Sequence, residues 1–107
     1  MRFDNKVALI TGASVGIGRA VALLLGEKGA KLILVDINGE KLEALKTELK
    51  SYTEDVLTFV CDVSDESAVS NVVTESLRSF GRIDILVNNG HRTTSQGRKF
   101  WDRHNST

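Results

Sequence analysis

Short apolar runs and helical apolar stripes take turns along this chain, and the exchange is regular through residue 87. Val7-Ala8-Leu9-Ile10 is the first unbroken apolar run, and residues 6–11 are predicted as a strand buried on both faces. From Gly16 to about Lys28, Ile17, Ala20, Val21, Leu24 and Leu25 recur at spacings of three and four, which makes one helical stripe that Gly29 ends. Residues 31–36 read as a second buried strand. A charged helix then starts at Asn38 or Gly39 and runs to about Lys50, with Leu42, Leu45 and Leu49 on its inner side. After a polar turn over residues 51–55, residues 56–61 form the third strand, which ends at Asp62.

Ser64 is the expected N-cap of a third helix, with Asp65 and Glu66 in its first turn, where negative charge favours the helix dipole. Val69, Val72, Val73, Leu77 and Phe80 supply its buried face, and Gly81 ends it. Residues 83–87 are the fourth strand, which delivers Asn88-Asn89-Gly90. Strands joined by helical crossovers of one hand imply a parallel sheet and an α/β fold. Past residue 90 the character changes: residues 91–107 contain no Ala, Val, Ile, Leu or Met, and Phe100 and Trp101 are the only large apolar groups. The chain therefore divides into a patterned portion, 1–90, and a polar, basic and irregular tail, 91–107.

Composition narrows the function classes. Fourteen basic and fourteen acidic residues cancel, so no global field draws the chain to nucleic acid or to an anionic membrane. Cys61 is the single cysteine, which excludes an internal disulfide and a cysteine metal cluster. The opening Met-Arg-Phe-Asp-Asn-Lys is not an apolar signal, and no apolar run approaches transmembrane length. A cytoplasmic setting is the expectation. His91 and His104 lack partners at ligand spacing, so no metal site is expected. The basic residues Arg92, Arg98, Lys99 and Arg103 read as a solvated tail.

The chemistry concentrates in Thr11-Gly12-Ala13-Ser14-Val15-Gly16-Ile17-Gly18, which joins the first strand to the first helix. A strand aims the turn, missing side chains let backbone approach a pyrophosphate, and free N–H groups at the helix start meet its charge. The competing reading is a tight turn and a close helix–strand crossing, a role that one of these glycines fills in either case. Ser14 offers a hydroxyl near the phosphate, whereas Thr11 fixes the turn. Asp36 closes the second strand, where an acid accepts from ribose hydroxyls and repels a 2′-phosphate. NAD(H) is therefore favoured over NADP(H), and the alternative for Asp36 is a cap on the next helix. Asp62 can accept from an adenine amino group, with Val63 flat against the ring, or it can cap a helix. Asn88 and Asn89 can pair with neighbouring backbone or reach a ribose.

Taken together, Thr11 to Gly18, Asp36, Asp62-Val63 and Asn88-Asn89-Gly90 resemble the cofactor half of the short-chain dehydrogenase/reductase family, over about residues 5–90. The resemblance implies an NAD(P)-dependent oxidoreductase with a partial, doubly wound Rossmann sheet of about four strands in the order 3-2-1-4. It implies Gly12, Ser14, Gly16, Ile17 and Gly18 around the pyrophosphate and Asp36 on the adenosine ribose. Asp62 and Val63 would meet the adenine, and Asn88, Asn89 and Gly90 would border the nucleoside. The family pattern Asn-Asn-Ala-Gly reads Asn88-Asn89-Gly90-His91 here, which is a lost alanine or two substitutions.

The family's serine, tyrosine and lysine catalytic set belongs to a fifth strand and the helix after it. Tyr52 is the single tyrosine here and falls in a turn at the opposite sheet edge. No catalytic residue is assigned, and the expectation is a truncated oxidoreductase without turnover on its own, or a standalone nucleotide-binding or interaction domain. Trp101-Asp102-Arg103 is similar to the start of a later family helix; a shifted reading frame explains the tail equally well. Glycine-turn transferases that use S-adenosylmethionine account less well for Asp62-Val63 together with Asn88-Asn89. In the order 3-2-1-4 the fourth strand is an open edge, from which aggregation, self-association or poor folding is expected, as of a marginal domain or a piece that needs a partner.

Overall fold

Every residue of the strand Val7–Thr11 is buried, as a central strand covered on both faces must be. The computed structural model describes residues 2–89. Their elements run β1 (Val7–Thr11), α1 (Gly16–Glu27), β2 (Lys31–Asp36), α2 (Gly39–Leu49), β3 (Val56–Val60), α3 (Glu66–Phe80) and β4 (Ile85–Asn88). The four strands form one parallel sheet in the order β3-β2-β1-β4, the order expected for a partial Rossmann fold. Gly90 and residues 91–107 lie outside the described residues.

Strand alternation divides the core in two. Ala8, Ile10, Leu32 and Leu34 meet Ala22, Leu25, Leu42, Leu45 and Leu49 of α1 and α2 on one face. Val7, Leu9, Ile33 and Val35 meet Val69 and Val72 of α3 on the other. Helices thus cover both faces, and the register puts the strand ends together: Thr11 lies opposite Val35 and Asn88, and Asp36 lies opposite Val60.

The structure corrects several local expectations. The buried face of α1 is Gly18, Ala22, Leu25 and Gly26, whereas Ile17 is 70% and Leu24 53% exposed, and Ala20 is exposed too. Small residues let this helix lie close to the sheet, so the bulky members of the stripe rotate outward. The cap of α3 is Asp65, which accepts from the Ala68 N–H at 3.2 Å. Ser64 instead donates its N–H and hydroxyl to Asp62 Oδ1, at 2.9 and 2.8 Å. Leu77 of that helix is 40% exposed rather than buried.

The last strand starts at Ile85 rather than Ile83. Just before it, Asp84 pairs with Val7 through both its N–H and its carboxylate, so the chain joins β1 before ladder geometry begins. The third strand ends at Val60, one residue early, although the Cys61 N–H still reaches the Asp36 carbonyl at 2.9 Å.

Candidate functional site

Three helices start from this sheet, and they start differently. Asn38 caps α2 by accepting from the Lys41 N–H at 3.0 Å, Asp65 caps α3, and each helix carries a glutamate in its first turn. Helix α1 has Val15 at its N-cap, no side-chain cap and no acid in the first turn. Its leading N–H groups therefore keep the partial positive charge of a helix N-terminus available to an anion.

The turn that precedes α1 is shaped by glycine. Gly12 and Gly16 have φ of 60° and 53°, a left-handed conformation that side chains disfavour. A Cβ on Gly16 would meet nothing within 4 Å, so backbone stands bare to open space there. At Gly18 the opposite holds: a Cβ would lie 2.2 Å from the Gly12 carbonyl oxygen and 2.9 Å from Asn89 Nδ2. That glycine serves the close crossing, and Gly16 leaves the cradle open.

The end of β4 is tied to this turn. Thr11 Oγ1 donates to Asn88 Oδ1 at 3.0 Å and accepts from the Asn89 N–H at 3.0 Å. Asn89 Nδ2 reaches the Gly12 carbonyl at 3.5 Å. The Asn89 side chain thus reaches neighbouring backbone, whereas that of Asn88 pairs with the Thr11 hydroxyl, which fixes the turn as expected.

The carboxylate of Asp36, at the end of β2, sits in a nest of donors. Its Oδ2 accepts from the Ser14 hydroxyl at 2.7 Å and from the Ser14 N–H at 3.1 Å. Its Oδ1 accepts from the N–H groups of Ile37 at 2.7 Å and Asn38 at 3.4 Å. Partial burial pushes the Asp36 carboxyl up, but these hydrogen bonds together outweigh it and hold the group below the ordinary aspartate value. Asp36 is thus not a helix cap, since Asn38 takes that position. The Ser14 hydroxyl, expected near a phosphate, is turned toward this carboxylate. Sequence reading missed the Ser14–Asp36 link, because spacing says nothing about which way a hydroxyl rotates.

Asp62 and Val63 follow β3 at the same sheet edge. Asp62 is exposed and anchors Ser64, and Val63 is half-buried against the α3-side core. Ile17 extends from the first turn of α1 into solvent. Direct contacts join Gly12, Gly18, Asn88 and Asn89 around Thr11, and a second set joins Ser14 to Asp36; Gly16, Ile17, Asp62 and Val63 lie at the same sheet edge. Tyr52 lies between α2 and β3, at the opposite end of the strands, and is 53% exposed. Burial pushes the Cys61 thiol up, as do nearby Asp65 and Asp62, so it is no ready nucleophile. Among the described residues no cluster of histidine, cysteine and carboxylate groups could hold a metal, and no helix is long and apolar enough to cross a membrane.

Residues 6–104 match the family described as short chain dehydrogenase. The chain belongs to the short-chain dehydrogenase family. Its relatives include levodione reductase of Leifsonia aquatica, 50% identical over 90 residues that make up 82% of this chain and 34% of that protein. Among solved structures, NAD+-bound xylitol dehydrogenase superposes with a TM-score of 0.76 at 41% identity, covering 80% of this chain and 33% of that one. A metagenomic short-chain oxidoreductase in complex with NADP superposes with a TM-score of 0.77 at 39% identity, covering 82% and 40%. This short-chain dehydrogenase chain spans about a third of the length of the curated relatives it matches.

Proposed function

We propose that the chain is the cofactor-binding portion of a short-chain oxidoreductase and that it takes a nicotinamide dinucleotide, NAD(H) in preference to NADP(H). One observation carries the reading: the uncapped N-terminus of α1, wrapped by the bare glycine turn, stands beside the anchored carboxylate of Asp36. In this reading Gly12, Gly16, Ile17 and Gly18 surround the pyrophosphate, and Ser14, in the same turn, faces Asp36. Asp36 holds the adenosine ribose, Asp62 and Val63 border the adenine, and Asn88, Asn89 and Gly90 border the nucleoside. Residues 1–90 are the binding portion and 91–107 a tail.

Similar proteins have been solved with NAD and with NADP, so the preference rests on Asp36. A fixed negative charge there opposes a 2′-phosphate and accepts from ribose hydroxyls. The bound nicotinamide would accept or deliver hydride. A tyrosine acid/base at the site is not among these 107 residues, because Tyr52 is the only tyrosine and sits at the far sheet edge. We therefore propose binding without turnover for these residues alone, and association of copies along β4, whose four residues are each half-buried at the open edge.

Calorimetric titration with NAD+ and NADP+ tests the reading. NAD+ should bind at least tenfold more tightly, and Asp36→Ala should erase that margin; a tenfold margin is about 1.4 kcal/mol. Equal affinity for the two in the unaltered chain removes the proposed role of Asp36. Failure to bind either one sinks the cofactor reading, and NADH oxidation with any carbonyl compound sinks the claim of no turnover.

A further inference from the structure

Ser14 is buried, with 6% of its surface exposed, yet its hydroxyl does not face the turn's open side. Both of its donors, the backbone N–H and the hydroxyl, converge on one oxygen of Asp36 across 22 residues of sequence. The other oxygen accepts from the N–H groups of Ile37 and Asn38. A carboxylate has about four acceptor sites, and each oxygen here carries two donors. Three of the four come from backbone and are fixed by the β2–α2 connection and the glycine turn. Among the described residues the Ser14 hydroxyl is the one donor that a side chain supplies, and therefore the one the sequence can vary without moving the chain.

We infer that Ser14 is a positioning residue for cofactor selectivity, which acts through Asp36 by clamping its carboxylate toward the glycine turn rather than by touching phosphate. The inference rests on the dinucleotide reading above. A carboxylate free to swing about its side-chain torsions meets ribose hydroxyls less often and opposes a 2′-phosphate less steadily. Held at both oxygens, it presents one fixed negative edge. Among the described residues, burial and these hydrogen bonds set the titration of Asp36. The effect of Ser14 on it is therefore separable.

Two measurements on the full chain test this. In the first, the carboxyl carbon resonance of Asp36 is followed against pH without any cofactor. Ser14→Ala should move its midpoint upward and Ser14→Thr should restore it; an unmoved midpoint overturns the clamp. In the second, the ratio of NAD+ to NADP+ affinity is compared in four proteins: unaltered, Ser14→Ala, Asp36→Asn and the double variant. Ser14→Ala should lower the ratio about fivefold, the worth of one hydrogen bond. On the Asp36→Asn background it should change nothing further.

Equal weakening of both dinucleotides on both backgrounds would mean that Ser14 touches the ligand directly, and it overturns the inference. A shifted midpoint with an unchanged ratio overturns the role in selectivity. Absence of any dinucleotide binding by the unaltered chain, with the midpoint still shifting, overturns the cofactor reading and the selectivity role with it. Should Ser14→Ala fail to fold, Ser14→Cys supplies the same comparison with a weaker donor and the same expected directions.

Discussion

Gly16 and Gly18 belong to one turn but are glycine for different reasons. A side chain at Gly18 would strike the Gly12 carbonyl and Asn89, both held in place, so Gly18→Ala should cost about 3 kcal/mol in urea unfolding. At Gly16 the space is open and only the positive φ objects. Gly16→Ala should cost about 1 kcal/mol while weakening dinucleotide binding more than its stability loss accounts for. Ser76 is the converse case: it is fully buried on α3, and its hydroxyl has no partner among the described residues. Ser76→Ala should therefore raise the urea midpoint, by about 1 kcal/mol of stability. At this scale the sequence makes residue type legible but not direction. The spacing of Gly12, Gly16 and Gly18 marks the turn, yet only coordinates show that Ser14 points at Asp36 and that Thr11 links to Asn88 and Asn89.

Elements were legible to within a residue or two wherever apolar runs were unbroken, as at β2, where expected and observed bounds coincide at Lys31–Asp36. The departures occur where a side chain substitutes for backbone. Asp65 displaced Ser64 as cap because Asp62 had already engaged Ser64. The β1–β4 junction is the other instance, with Asp84 accepting from the Val7 N–H at 2.9 Å and from Arg82 at 2.6 Å. The Arg82 guanidinium first, and then the Val7 N–H, hold the Asp84 carboxyl below the ordinary aspartate value despite an opposing effect of burial. Its stabilising contribution is thus complete above the unfolded-state value of about 3.9 and is lost as pH falls through the lower folded value. Urea midpoints measured downward from pH 5 should fall less steeply for Asp84→Asn than for the unaltered protein, with the two curves converging in acid. A constant offset between the curves at every pH would contradict that assignment.

For the molecule as a whole, the strand order was legible from the alternation of elements and the family resemblance together, because right-handed crossovers leave few arrangements. The outward rotation of α1 was not, since the same stripe of Ile17, Val21 and Leu24 suits a helix covered on two sides. Both outer strands, β3 and β4, are open edges of the described sheet. The association proposed along β4 predicts a sedimentation coefficient that rises with concentration. A single monomeric species throughout would count against it. Because a ligand that binds only the folded state adds stability by mass action, NAD+ at a hundredfold over its dissociation constant should add about 2.7 kcal/mol. Thermal melts with and without the dinucleotide would measure it.

The contact between Thr11 and Asn88 spans 77 residues, and it sets an order of events while the chain is being made. The glycine turn leaves the ribosome early, but the strand that completes it is the last of the four to emerge. Until β4 docks, Thr11 has neither asparagine partner and Gly12 lacks its contact from Asn89. The uncapped start of α1 and the Ser14–Asp36 link lie within β1–α1–β2, so what β4 adds is the fixing of the turn at Thr11 and Gly12.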